Sequence, residues 1–228
     1  MSFDTLEKTL GFGFKNQNLV KMAFIHRSYL NEAKENLESN ERLEFLGDSI
    51  LSFLVSKFLY TTYPHLPEGE LTSLRSAIVK TKTLSQIASD LSLGTLLKLS
   101  KGEIASNGRE NPSILADTFE ALLGAIFLDQ GLPKAEMAIK KFLLPQLTEI
   151  IALKAYKDAK SSLQEIIQEK TRSSPVYKVL QEKGPDHAKT FTIGVFLGDE
   201  LLGKGVGKSK QEGEQMAAAV ALEAWAKR

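Results

Sequence analysis

The 228-residue chain has no cysteine and only three histidines, His26, His65 and His187, far apart in sequence. Without cysteine there is no disulfide framework, no thiolate nucleophile and no Cys-ligated zinc or iron–sulfur centre. Three scattered histidines argue against a His-rich zinc site. No apolar run approaches the roughly 18 residues of a membrane span. The opening MSFDTLEK lacks the basic-then-apolar build of a signal peptide. An excess of one charge is missing too: 29 Lys/Arg against 28 Asp/Glu leave a formal net charge of +1, so no global basic field announces nucleic acid. What is present is 43% apolar and 25% charged residues, the balance of an ordinary globular chain. The length suits one large domain or two small ones. The expectation is a soluble, cytoplasmic protein without a membrane partner, whose polar chemistry comes mainly from carboxylates, lysines and backbone.

Charge and periodicity both change along the chain. Residues 1–150 hold 16 Lys/Arg against 18 Asp/Glu, whereas residues 151–228 hold 13 against 10. In the first part the apolar spacing is helical almost throughout, as in Leu71, Leu74, Ala77 and Ile78, then Leu84, Ile87, Ala88 and Leu91. The spacing predicts a helix from Pro112 through Asp129, punctuated by Pro112 at its start and Gly131-Leu132-Pro133 after its end. No period-2 strand is found there. The polar, lysine-rich stretch Lys154–Ser162 reads as a linker, after which the rhythm shifts. A short helix (Ser162–Lys170) precedes a strand from Pro175 to Gln181, an alternating strand from Phe191 to Leu197, a turn at Gly198-Asp199-Glu200, and a strand from Leu201 to Val206. An alanine-rich helix, Lys210–Lys227, closes the chain. The predicted fold is an all-α domain over 1–150, a linker over 151–159, and a small α+β domain over 160–228 in the order α-β-β-β-α, with helices on one face of an antiparallel sheet.

Two acidic groups stand out. On a helix, Glu41, Glu44 and Asp48 share one narrow edge, facing away from a stripe of Leu43, Leu46, Ile50 and Leu54. A solvated face is the ordinary explanation. Two details weaken it: Phe45 lies beside the acids and off the stripe, and Leu51, Val55, Phe58 and Leu59 cover the acid side further on. A helix apolar on both sides is buried on both sides, and clustered carboxylates beside buried surface are costly unless a cation neutralises them. The second pair, Asp117 and Glu120, falls opposite the stripe Leu115, Phe119, Leu122 and Ile126. Hard oxygen donors without Cys or His suit Mg²⁺ or Mn²⁺. Such ions activate water and neutralise charge on a phosphodiester in the transition state. Periodicity permits a metal-dependent phosphodiesterase and equally permits surface charge.

The segment Asn40-Glu-Arg-Leu-Glu-Phe-Leu-Gly-Asp-Ser49 resembles the signature helix of the bacterial ribonuclease III family. Leu115-Ala-Asp-Thr-Phe-Glu-Ala-Leu-Leu-Gly124 is similar to that family's second acidic motif, and Pro67-Glu-Gly-Glu-Leu71 to its intervening loop. The likeness runs along nearly the whole chain. It implies a helical, homodimeric nuclease in which Glu44, Asp117 and Glu120 ligate Mg²⁺, with Mn²⁺ able to substitute. Asp48 would complete the cluster as a catalytic carboxylate, a role Glu120 would share, and Glu41 and Glu68 would support the cleavage site from its edge. Phe45 would pack into the partner subunit. Each of the two sites would cut one strand of an RNA duplex, leaving 5′-phosphates and 3′ overhangs, in the processing of rRNA precursors and other structured transcripts. One departure is Ser39, which stands where many members carry His. A non-catalytic RNA-binding protein on the same fold is the rival expectation; its mark would be Ala, Asn or Lys at Glu44, Asp48, Asp117 or Glu120.

Near the C-terminus, Gly203-Lys-Gly-Val-Gly-Lys-Ser209 imitates a phosphate-binding loop. The nucleotide-binding pattern needs glycine at position 202, which is leucine. No nucleotide cofactor is expected. Glycines and a helix N-terminus still offer backbone N–H groups to a phosphate. The α-β-β-β-α context resembles the double-stranded RNA-binding domain, which reads A-form shape across two minor grooves and the intervening phosphates. By that resemblance Gln164 and Glu165 meet one minor groove, the loop carrying His187 and Lys189 enters the other, and Lys208, Ser209 and Lys210 hold phosphates. Gln211 replaces a usual cation, and Gly213 is expected to weaken the first helical turn. His26 reads as a structural residue at a helix end, and His65 supports no functional role.

Overall fold

A computed structural model describes residues 1–152, 159–185 and 189–225. The chain divides into two compact units, Met1–Tyr156 and Lys157–Arg228.

The first unit is helical: α1 (Phe3–Leu10), α2 (Gln17–Met22), α3 (Glu41–Thr62), α4 (Glu68–Ile78), α5 (Thr81–Asp90), α6 (Lys101–Ala105), α7 (Pro112–Gln130), α8 (Leu132–Phe142) and α9 (Leu144–Ala152). Several of these helices begin at a side-chain cap. Ser2 accepts from the Thr5 N–H, Asn16 from those of Asn18 and Leu19, and Asn111 from Ser113, just ahead of Pro112. Gly11 closes α1 in the left-handed region at φ 86°. Among the described residues, extended pairing in this unit is limited to one bridge, Ile25 with Lys98.

Helix α7 runs through the centre. It is buried all round, through Ile114, Ala116, Thr118, Ala121, Leu123 and Ala125 as well as Leu115, Phe119, Leu122 and Ile126. The single apolar stripe expected of this helix is therefore corrected: a helix this rich in Ala and Leu has neighbours on every side, and Asp117 and Glu120 are half-buried among them. Helix α3 needs a similar correction. Its buried line is Leu43, Gly47, Leu51, Leu54, Val55 and Leu59. Leu46 and Ile50 are only half-buried, and Phe53 is exposed. Glu44 consequently lies on the core side of α3, one turn before Gly47 and two before Leu51. Counting apolar residues misplaced the stripe because glycine, which allows the closest approach, carries no apolar weight.

The second unit contains α10 (Ala159–Thr171), β1 (Val176–Lys183), β2 (Thr190–Leu197), β3 (Glu200–Gly207) and α11 (Lys210–Trp225). The strands form an antiparallel sheet in the order β1-β2-β3. Ile193 and Val195 point into a core shared with Leu163, Ile167, Ala217, Ala218 and Ala221. Of the stretch 151–159, Ile151 and Ala152 end α9 and Ala159 opens α10, while residues 153–158 lie outside the described ones. Gly203, Gly205 and Gly207 serve packing: a Cβ on any of them would collide with α11, at Ala217, Gly213 or Glu212. Gly213 has the same cause, since a Cβ there would press on Ile193 and the Phe191 carbonyl. No described helix is long and apolar enough to cross a membrane.

Candidate metal centre and nucleic-acid interface

Where α3 crosses α7, Gly47 faces Gly124. A Cβ on Gly47 would overlap the Glu120 carbonyl, and one on Gly124 would overlap the Leu43 carbonyl. Glycine costs roughly 1 kcal/mol against alanine inside a helix, and here that cost secures backbone-to-backbone contact. The close crossing brings Glu44 of one helix against Asp117 and Glu120 of the other. One carboxylate oxygen from each of the three lies within 4.8 Å of the other two. Both glycines lie within the two acidic motifs, and mid-helix glycine inside an otherwise apolar pattern is the sequence signal of such a close approach.

Electrostatics follows from crowding and burial. The Glu120 carboxyl is pushed up to about 8, first by burial, then by Asp48, Asp117 and Glu44. Glu44 is raised by burial and then by Asp117, Glu41 and Asp48. Asp117 is raised by burial, against an opposing pull from His26. Asp48 is exposed and outside the tight trio, yet close enough to be the strongest charge acting on Glu120. Three hard oxygen donors that resist ionising together form a cluster that can hold a metal ion.

The other predicted acids are placed differently. Glu41 is exposed on the first turn of α3, accepts a 2.8 Å hydrogen bond from Ser39 Oγ and lies 3.6 Å from Arg27. Ser39, the departure from the family pattern, thus orients Glu41. Glu68 opens α4, accepts from Thr72 Oγ1 at 2.8 Å, and lines a groove of about 420 Å³ with Phe53, Tyr60 and Arg75. Within one chain it is not brought to the trio. Phe45 is 78% exposed. Beside it runs a groove of about 610 Å³ lined by Met22, Leu43, Leu46, Leu128, Glu38, Glu41 and Arg42.

Two residues near the site were undervalued. Asn40, buried, donates through Nδ2 to the Ala23 carbonyl at 3.3 Å and through its backbone to Ile25 at 2.8 Å, pinning the start of α3. His26 caps the short turn Arg27–Asn31, its Nδ1 accepting from the Ser28 N–H at 3.3 Å. Its structural role is as expected; its influence on Asp117 was not foreseen. His65 is exposed.

In the second unit, Gln164 and Glu165 are exposed on α10, and Lys208, Ser209 and Lys210 are exposed where β3 passes into α11. Ser209 Oγ accepts from the Glu212 N–H at 3.1 Å, and Glu212 accepts from the Lys208 N–H at 2.6 Å, so a carboxylate of the chain already covers one N–H of the expected phosphate site. Lys189 precedes β2. His187 lies outside the described residues.

A helical domain with converging carboxylates, followed by an α-β-β-β-α domain, has the two-part build of a metal-site domain joined to a small α+β domain. Residues 16–147 match the family described as Ribonuclease-III-like and residues 159–224 the double-stranded RNA binding motif. A ribonuclease 3 of Pelotomaculum thermopropionicum is 45% identical over 218 residues, covering 95% of this chain and 90% of that one. One from Bacillus cytotoxicus is 47% identical over 222 residues, covering 97% and 90%. Among solved structures, the nuclease domain of ribonuclease III from Campylobacter jejuni, studied for a region involved in dimer formation, is 37% identical with a TM-score of 0.58, covering 62% of this chain and 96% of that one. The chain belongs to the ribonuclease III family. Relatives bearing that name over nearly the whole chain disfavour the non-catalytic alternative.

Proposed function

We propose that this protein is a homodimeric, Mg²⁺-dependent endoribonuclease that hydrolyses both strands of double-stranded RNA, leaving 5′-phosphates and 3′ overhangs, and that it processes rRNA precursors and other structured transcripts in the cytoplasm. The observation that carries this is the meeting of Glu44, Asp117 and Glu120 within 4.8 Å at a glycine-mediated helix crossing. These three would hold the ion, with Mn²⁺ able to substitute. Asp48 adds negative charge at the mouth and, with Glu120, acts on the reacting groups. Glu41, oriented by Ser39 and Arg27, and Glu68 support the site from its edge. When bound, the ion supplies a lowered water pKa and charge neutralisation at the phosphodiester. Because the three carboxylates are half-buried, they would shield a bound ion from part of the bulk water.

Phe45 and its neighbouring groove support the dimer. An isologous interface uses the same patch twice, and each copy offers both an exposed aromatic knob and an apolar slot. Two sites related by a two-fold axis match the two strands of a duplex. The domain division read from the sequence, 1–150, 151–159 and 160–228, assigns cleavage and dimerisation to the first part and duplex capture to the last, through Gln164, Glu165, His187, Lys189, Lys208, Ser209 and Lys210. The test is incubation of a perfect RNA duplex with Mg²⁺, Ca²⁺ or chelator, followed by sizing and end analysis. Short duplexes with 5′-phosphates and 3′ overhangs are expected with Mg²⁺ alone; cutting that persists in chelator would refute the metal role.

A further inference from the structure

Lys189 and Lys210 come from different elements, one just ahead of β2 and the other at the first residue of α11, yet a single carboxylate joins them. Glu182, next to last in β1, places Oε2 at 3.3 Å from the Lys189 ammonium and Oε1 at 3.7 Å from that of Lys210. The strand register sets Glu182 opposite Phe191, and the Lys210 ammonium stands 5.7 Å from the centre of that ring. The acid, the two cations and the ring therefore form one cluster where the end of β1 and the beginning of β2 meet the start of α11.

A carboxylate and a phosphodiester present the same chemistry to two ammonium groups, one negative charge spread over two oxygens. We propose that Glu182 is an internal competitor for the duplex phosphate, holding Lys189 and Lys210 in the free protein and giving them up when RNA binds. The proposal rests on the duplex-contact reading of those two lysines and adds a residue that limits their grip. All three side chains are partly exposed, and exposed pairs of this length are weak, so the exchange is open to an arriving phosphate rather than locked. The lasting effect is on affinity. Once displaced, the carboxylate remains well within a Debye length of the RNA backbone, and this like charge cancels part of what the lysines contribute. Glu182 thereby holds the tail below its full electrostatic affinity.

The experiment measures binding of the full chain to a perfect RNA duplex in chelator across a salt series, by fluorescence anisotropy. Glu182→Gln, equal in size and neutral, is expected to tighten binding about three- to tenfold near 0.1 M salt and to steepen the slope of log K against log salt by up to about one. Glu182→Asp, which keeps the charge, should stay near the wild type, and the gain from Glu182→Gln should shrink in a Lys210→Ala background. Unchanged or weaker binding by Glu182→Gln, with Lys210→Ala weakening it, overturns the competitor role alone. Unchanged affinity and slope for Lys210→Ala removes the duplex-contact reading and the proposal with it. A thermal melt matching the wild type verifies that Glu182→Gln is folded.

Discussion

Glu120→Gln exposes the physics of the acidic site most directly, because it separates the cost of crowding carboxylates from the purpose they serve. In the folded protein Glu120 holds its proton up to about pH 8, against 4.5 for an ordinary glutamate. Between those values the native state binds a proton that the unfolded chain has lost. Stability of the metal-free protein must then fall as pH rises from about 4.5 to about 8, since stability rises with pH only where the unfolded state binds more protons. The full shift corresponds to about 5 kcal/mol. Glu120 is partly exposed, and solvent screening leaves ~2 kcal/mol as a working figure. Glutamine keeps the shape, removes the charge and abolishes that part of the fall. In chelator at pH 8, Glu120→Gln is expected to melt about 4–8 °C above the wild type, taking 2–4 °C per kcal/mol for a unit of this size, with the difference vanishing near pH 4.5. Adding Mg²⁺ or Mn²⁺ should reverse the order: the wild type gains stability by linkage, more so at pH 8 than at pH 6 because the ligands must be deprotonated, and the variant gains little. Cleavage should be lost and duplex binding retained. A variant that melts below the wild type in chelator at pH 8, or one that Mg²⁺ stabilises as strongly, contradicts the assignment of Glu120 as a crowded metal ligand.

Gly47→Ala forces a methyl group into the Glu120 carbonyl; overpacking of this kind costs about 2–3 kcal/mol. The expected result is a melting temperature about 5–10 °C lower, together with loss of Mg²⁺-induced stabilisation, and a melt equal to the wild type would show that the helices do not touch there. Phe45→Ala removes a side chain whose burial is worth about 1.5–3 kcal/mol in each copy, so the dimer dissociation constant should rise at least about a hundredfold. Sedimentation across a concentration range reads this, and an unshifted monomer–dimer equilibrium rules out the knob-and-slot contact. Lys210→Ala should weaken duplex binding uniformly across sequences and reduce the salt slope by about one; a loss confined to one sequence would indicate base recognition instead.

The order of elements was legible because local chemistry dictates it. Pro112 and Gly131 bracket α7, the period changes from helical to alternating after α10 ends at Thr171, and Gly198 turns the chain between β2 and β3 at φ 59°. Which acids matter was legible as a pattern of residue types, since Glu44, Asp48, Asp117 and Glu120 sit at helical spacings within recognisable segments. Their orientation was not. Periodicity sent Glu41, Glu44 and Asp48 together to one side of a leucine stripe, whereas packing turned Glu44 inward, left Asp48 and Glu41 exposed, and kept Glu68 apart from the trio within one chain.

The amino-acid sequence alone determined the helices, the three strands, the carboxylate inventory and the lysines around the C-terminal helix, because capping, turn chemistry and residue type act over a few neighbours. Only the tertiary structure decided that Gly47 and Gly124 clear the space in which two helices touch, that three acids then come within 4.8 Å and resist ionisation, and that Glu182 joins Lys189 to Lys210. Contacts between segments tens of residues apart depend on how backbones approach, and the residues that permit that approach are marked by the absence of a side chain.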